Sequence, residues 1–223
     1  MRRLTRFSLA RPRTSSPPAV DDDTPRGSGR CSSEVRAELD AVDRAAYDAV
    51  ARTATPVLDR LLVRLSRAAD HSLLWLIIAA ALAVVGGGAG RRAACQGVLA
   101  IGLASGVTNL VLKPMARRRR PWRPAGQAPA SRRVRRPGST SFPSGHAASA
   151  FAFASTVGEA VPVTWVPLHV AAAGVAYSRL HTGMHYPSDI AAGALAGGLC
   201  AWTVRRVADR LTSGRAQLRW RRR

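Results

Sequence analysis

Between Leu73 and Val204 the chain passes through five apolar stretches, approximately Leu73 to Ala89, Ala93 to Leu112, Ala147 to Val161, Pro162 to Ser178 and Ile190 to Val204. None alternates as a strand would, and each ends at a basic residue, glycine or proline. This pattern predicts an all-α fold, a helical membrane bundle of about five spans. Several stretches fall short of the roughly 20 residues of a full crossing, which flanking residues or a thin bilayer accommodate. Alanine and glycine in Ala192-Gly193-Ala194 and Ala196-Gly197-Gly198 suit close helix contact. A buried helical core of a soluble protein is the alternative reading.

Three short segments carry the chemistry. Lys113 leads to Arg120-Pro121, Pro143-Ser144-Gly145-His146 opens the third apolar stretch, and Ser178-Arg179 is followed by His185 and Asp189. Lys113, Arg120 and Arg179 are candidate phosphate-binding cations, arginine's planar fork matching phosphate best. Read singly, Lys113 and Arg120 are also ordinary charges flanking a span. Ser144 and Gly145 read as a helix start. Free N–H groups there attract anions, with Gly145 admitting close approach and the Ser144 hydroxyl adding a donor. Pro187 suits a first helical turn, so Asp189 can orient one ring nitrogen of His185 and leave the other to attack phosphorus. His146, on a separate segment, is the candidate general acid.

In order and spacing, these segments resemble the type 2 phosphatidic acid phosphatase (PAP2) family, which also includes vanadium haloperoxidases and bacterial acid phosphatases. The resemblance covers roughly residues 60 to 205. It implies that His146 acts as acid, that His185 becomes phosphorylated with Asp189 orienting it, and that Lys113, Arg120, Ser144, Gly145 and Arg179 bind phosphate. It also implies a lipid phosphate substrate and a site on the extracytoplasmic face of the cell membrane. More narrowly, the run from Arg64 to Ser72 is similar to the phosphatase half of actinobacterial bifunctional lipid phosphatase/diacylglycerol kinase-like proteins. A chain ending at Arg223 is expected to lack that kinase domain. No cofactor and no metal are expected, because no Cys/His cluster has ligand spacing, and Cys31, Cys95 and Cys200 form no framework.

Charge separates the remaining classes. The 223 residues carry 34 Lys and Arg against 13 Asp and Glu, a formal charge of +21. Few aromatics interleave with the basic runs, so no base-stacking platform for nucleic acid is visible. Anionic lipid headgroups fit the charge at least as well. Arginines crowd both sides of the bundle, and the positive-inside rule does not orient it. The readings kept open are a lipid phosphate phosphatase, a vanadate-dependent haloperoxidase, and a basic membrane protein that binds anionic lipid without catalysis.

The domain reading is a disordered basic arm over 1–33, amphipathic interfacial helices over 34–70, the PAP2-like domain over 71–206 and a basic tail over 207–223. The first helix places Val35, Leu39, Val42, Ala46 and Val50 on its apolar stripe, the second Leu58, Leu61, Leu62 and Leu65. The insertion from Trp122 to Thr140 reads as a solvated loop. His181 reads as lining the site or standing behind it, and His71 and His169 as structural.

Overall fold

Glycines decide how closely the helices pack. The computed structural model describes residues 27–121, 130–132, 134 and 138–220. Contacts divide the chain into Met1–Arg36 and Ala37–Arg223. The described part of the first unit is the opening of α1 (Gly27–Arg52), so helix already exists inside the arm expected to lack structure. The rest of the arm lies outside the described residues.

The second unit is all-α. After α1 come α2 (Pro56–Ala68), a 3₁₀ turn at Asp70–Ser72, α3 (Leu73–Val85) and α4 (Gly87–Gly106). α4 continues through a π-helical turn at Val107–Leu112 into the short α5 (Lys113–Ala116). Then follow α6 (Gly145–Ala160), α7 (Trp165–His181) and α8 (Pro187–Trp220). α6 is central, packed against α4, α7 and α8. Around it Trp75, Ile101, Phe153, Val157 and Val175 form the core together with many alanines. The Trp75 and Phe153 rings lie 5.5 Å apart.

Close approach is strictest between α6 and α8. A Cβ added at Gly193 would stand 2.4 Å from the Ser144 carbonyl oxygen, and one at Gly197 would stand 2.2 Å from that of Ala148. Only glycine fits at either position, the membrane-type small-residue contact. The break between the first two apolar stretches, over Gly90-Arg91-Arg92, falls earlier in the structure. α3 ends at Gly86, and Gly87 takes φ +57, leaving Arg91 and Arg92 inside α4. The Val161-Pro162 turn is where it was expected, capping α6.

The first two helices turn much of the apolar stripe outward. Leu39 and Val42 are exposed, while Asp43 and Tyr47 are buried. In α2, Leu61 is exposed and Asp59, Leu62, Val63 and Ser66 are buried. Polar anchors choose the inward face here, because buried carboxylates meet buried cations described below.

The count of about five spans also changes. Among the described residues one helix, Gly87–Ala116 at 30 residues, is long and apolar enough to cross a bilayer. Pro56–Ala68 and Asp70–Val85, bent by 62°, qualify only as a pair. α6 and α7 have 16 and 17 residues, and their alanines and serines dilute the hydropathy. The outer surface is nonetheless strongly apolar. Ile77, Val84, Leu99, Leu110, Val166, Val170, Leu195, Leu199 and Trp202 are all more than half exposed. A soluble protein rarely presents so many large apolar side chains on four helices.

Replacing Gly197 by Ala is expected to lower stability by about 1–3 kcal/mol, as overpacking does. Gly102→Ala, where a Cβ meets nothing within 4 Å, is the neutral control. Thermal unfolding of the two variants in detergent compares them.

Candidate active site

The sequence-predicted segments converge at one end of the bundle. The C-terminal end of the α4–α5 rod, the start of α6, the end of α7 and the α7–α8 loop surround a cavity of about 210 Å³. Lys113, Arg120, Gly145, His146, Arg179 and His185 line it, with Ser105, Asn109 and Ser139. No carboxylate does so among the described residues, which leaves the lining rich in cations.

Local structure explains how each group arrives. Lys113 follows the π-helical turn, a feature that recurs at functional sites, and its Nζ donates to Asn109 Oδ1 at 2.7 Å. Arg117 takes φ +41 and ends α5, after which the arginine run loses its helical form. Arg117 and Arg119 are exposed while Arg118 and Arg120 turn inward, the alternation of a non-helical segment. Arg120 is held by the Ser139 carbonyl at 3.0 Å and the Met184 carbonyl at 2.8 Å, and its guanidinium reaches 3.2 Å from His185 Nε2.

Ser144 and Gly145 divide the work expected of both. Ser144 is fully buried and does not line the cavity. Its Oγ accepts from the Ala147 N–H at 3.4 Å, capping α6, and its own N–H donates to the Asp189 carbonyl at 2.9 Å. Gly145 does face the cavity, where an added Cβ would sit 3.8 Å from Lys113 Nζ.

His185 lines the cavity and Asp189 lies behind it. His185 Nδ1 faces Asp189 Oδ2 at 3.6 Å, longer than a hydrogen bond but well inside ion-pair range. The same oxygen accepts the Tyr186 N–H at 2.8 Å and the Ser141 hydroxyl, and Oδ1 accepts from Arg118 at 2.9 Å. Burial pushes the His185 imidazole below its ordinary pKa. Asp189 opposes that and Arg120 adds to it.

Four groups that matter here were missed by sequence reasoning. Asp70 Oδ1 binds Arg179 at 2.7 Å and His146 Nε2 at 3.1 Å, and Arg179 itself touches His146. Asp70 begins a kinked turn in which His71 and Ser72 have φ +54 and +61. His71, read as structural, lines the cavity. Arg118 was given no role in the sequence. Asp59, fully buried, holds Arg132 at 2.8 Å and His181 at 2.8 Å. His181 therefore stands behind α7 and not in the cavity lining. Arg132 also donates to the Val50 and Thr53 carbonyls at 3.0 and 2.5 Å, so the insertion is pinned at that residue and is not simply solvated. His169 is structural as read, stacked on Trp165 at 4.2 Å. No group of three or more His, Cys, Asp or Glu is placed to hold a metal among the described residues.

Residues 93–213, enclosing all three segments, match the PAP2 superfamily. The chain belongs to that superfamily. It is 35% identical over 162 residues to decaprenylphosphoryl-5-phosphoribose phosphatase of Mycobacterium tuberculosis, covering 70% of this chain and 81% of that protein. It is 34% identical over 122 residues to lipid A 4'-phosphatase of Bacteroides thetaiotaomicron, covering 52% of this chain and about half, 53%, of that protein. The fold is similar to that of a transmembrane PAP2 type phosphatidylglycerolphosphate phosphatase from Bacillus subtilis, with a TM-score of 0.61 at 20% identity. That likeness covers 78% of this chain and 87% of the other. These relatives carry phosphatase names without a kinase, so the PAP2 resemblance holds at the level of the superfamily and not of a kinase fusion.

Gly145→Ala is expected to fold normally, since 3.8 Å is ordinary contact. Its methyl group would occupy the PAP2 anion cradle beside Lys113. Inhibition by orthovanadate should weaken by about tenfold or more, in line with losing a charge-assisted contact.

Proposed function

We propose that this protein is an integral membrane phosphatase that removes phosphate from a lipid, as a monoester or diphosphate, through a phosphohistidine. The supporting observation is the carboxylate-free cavity, where Lys113, Arg120 and Arg179 meet His146 and the Nε2 side of His185. The three cations hold the phosphoryl oxygens, and the N–H groups at the start of α6 add donors. His185 Nε2 attacks phosphorus as the bond to the leaving oxygen breaks, and Asp189 steadies the ring from Nδ1. His146 gives its proton to the departing lipid alcohol. Water then attacks the phosphohistidine, returning a proton to His146 and releasing phosphate.

Asp70 enters this scheme as the partner of the acid. It holds His146 Nε2, leaving Nδ1 for the leaving oxygen. The relatives' names point to a phosphate on a lipid anchor or lipid-linked sugar, and phosphatidic acid and polyprenyl phosphates or diphosphates are the substrates to compare. The apolar outer surface supports a membrane setting, where such lipids lie. Membrane location with the site on the extracytoplasmic face completes the proposal.

Phosphate release by detergent-purified protein in EDTA, from phosphatidic acid and from polyprenyl diphosphate, tests it. His185→Ala is expected to abolish release and phosphoenzyme labelling together; full activity in that variant would end the proposal. The acid limb of kcat/KM should lie below the ordinary imidazole value of about 6.5, because neutral His185 persists as pH falls. Asp70→Asn should cut turnover of lipid alkyl phosphates about 10²-fold, the scale of lost acid catalysis. A p-nitrophenyl ester needs little protonation and should lose far less. Equal losses on both substrates would place Asp70 in structure alone.

A further inference from the structure

α1 precedes the segment matched to the superfamily, yet it reaches the back of the nucleophile. Arg118 stands between them. One of its terminal nitrogens donates to Asp189 Oδ1 at 2.9 Å and to Ser188 Oγ at 2.7 Å. The other donates to Asp40 Oδ1 at 2.6 Å and Asp43 Oδ2 at 2.7 Å, both on α1. Asp43 is buried and also accepts the Ser188 N–H at 2.9 Å, in the first turn of α8, together with the Ser188 hydroxyl. The Arg118 guanidinium lies 4.5 Å from the centre of the Tyr186 ring, whose outer side meets Tyr47 of α1 at 5.9 Å. Three carboxylates thus share one guanidinium.

The consequence follows from Coulomb's law in a poorly solvated setting. A full Arg118 charge on Asp189 alone would draw its electron density away from His185. Asp40 and Asp43 divide that charge. We propose that Asp43 is a positioning residue for catalysis, which through Arg118 sets how strongly Asp189 supports His185, so that α1 is a working part of the nucleophile. This rests on the role of His185 given above.

Other charges act on the same groups. Arg120 and Arg179 face His185, His146 and Lys113 share its cavity, and Arg44 of α1 lies near Tyr186. None of them is altered by substitutions at 43 or 118, so the test compares signs. Asp43→Asn leaves Arg118 concentrated on Asp189, and the acid limb of kcat/KM should move down by about half a pH unit, with kcat reduced. Arg118→Gln frees Asp189, and the limb should move up. The double variant should return towards wild type, and Asp43→Glu should restore the limb. The substrates are a lipid phosphate and its p-nitrophenyl analogue, which should shift alike because the nucleophile serves both.

Limbs that stay put in folded Asp43→Asn and Arg118→Gln, or that move in the same direction, would overturn the proposal. If Asp43→Asn does not fold, Arg118→Gln and Asp43→Glu decide the matter by the same limb. His185→Ala separates the two levels. An active His185→Ala removes the nucleophile reading itself, whereas an inactive one with unmoved limbs removes only the role of α1.

Discussion

The approach of α8 to α6 is the constraint on which the site depends. Gly193 and Gly197 let α8 rest on the Ser144 and Ala148 carbonyls, distances no side chain allows. That contact sets the start of α6 beside the start of α8, where the Ser144 N–H meets the Asp189 carbonyl. His146 and Gly145 come from one helix, and Asp189 from the other. Helix starts carry free N–H groups; α6 opens at Gly145 on the cavity, whereas the Ser188 N–H of α8 is taken by Asp43 behind it.

Collecting cations around a cavity raises a second problem, because like charges repel wherever no substrate sits between them. Carboxylates set back from the cavity relieve it. Asp70 lies against Arg179, and Asp189 lies behind His185 and against Arg118. Asp40 and Asp43 then take the rest of Arg118. Each carboxylate stays out of the cavity, so the charge presented to a phosphate remains positive. Asp59 repeats the device away from the chemistry, where it holds buried Arg132 and ties the insertion at that residue to α1 and α2.

Much of this was legible in the residues, but unevenly. Lys113, Arg120, Gly145, His146, Arg179 and His185 line one cavity because their spacings match helix ends, and helix ends show in a sequence as Ser-Gly, Pro and apolar boundaries. Ser144 was less legible, since a hydroxyl at a helix start serves equally as cap or ligand. The polar inward faces of α1 and α2 were not legible, because apolar periodicity marks a side that avoids water, and a bilayer boundary satisfies Leu39, Val42 and Leu61 as well as a core does. The number of spans was uncertain for a related reason. Alanine-rich helices such as α6 are too short and too weakly apolar to declare themselves.

The sequence by itself determined the chemistry: cations, imidazoles and a carboxylate in a fixed order, on helical segments, in a chain of the PAP2 superfamily. Reactive groups are carried by residue type and local spacing, and both are written in the chain. Only the tertiary structure decided which of the remaining charges serve the site. Asp70, Arg118 and Asp43 occur among many similar residues, and nothing local distinguishes them from a solvated Asp or Arg. Their partners lie far away along the chain, as Arg118 does from both Asp43 and Asp189, and electrostatic pairing depends on distance in space alone.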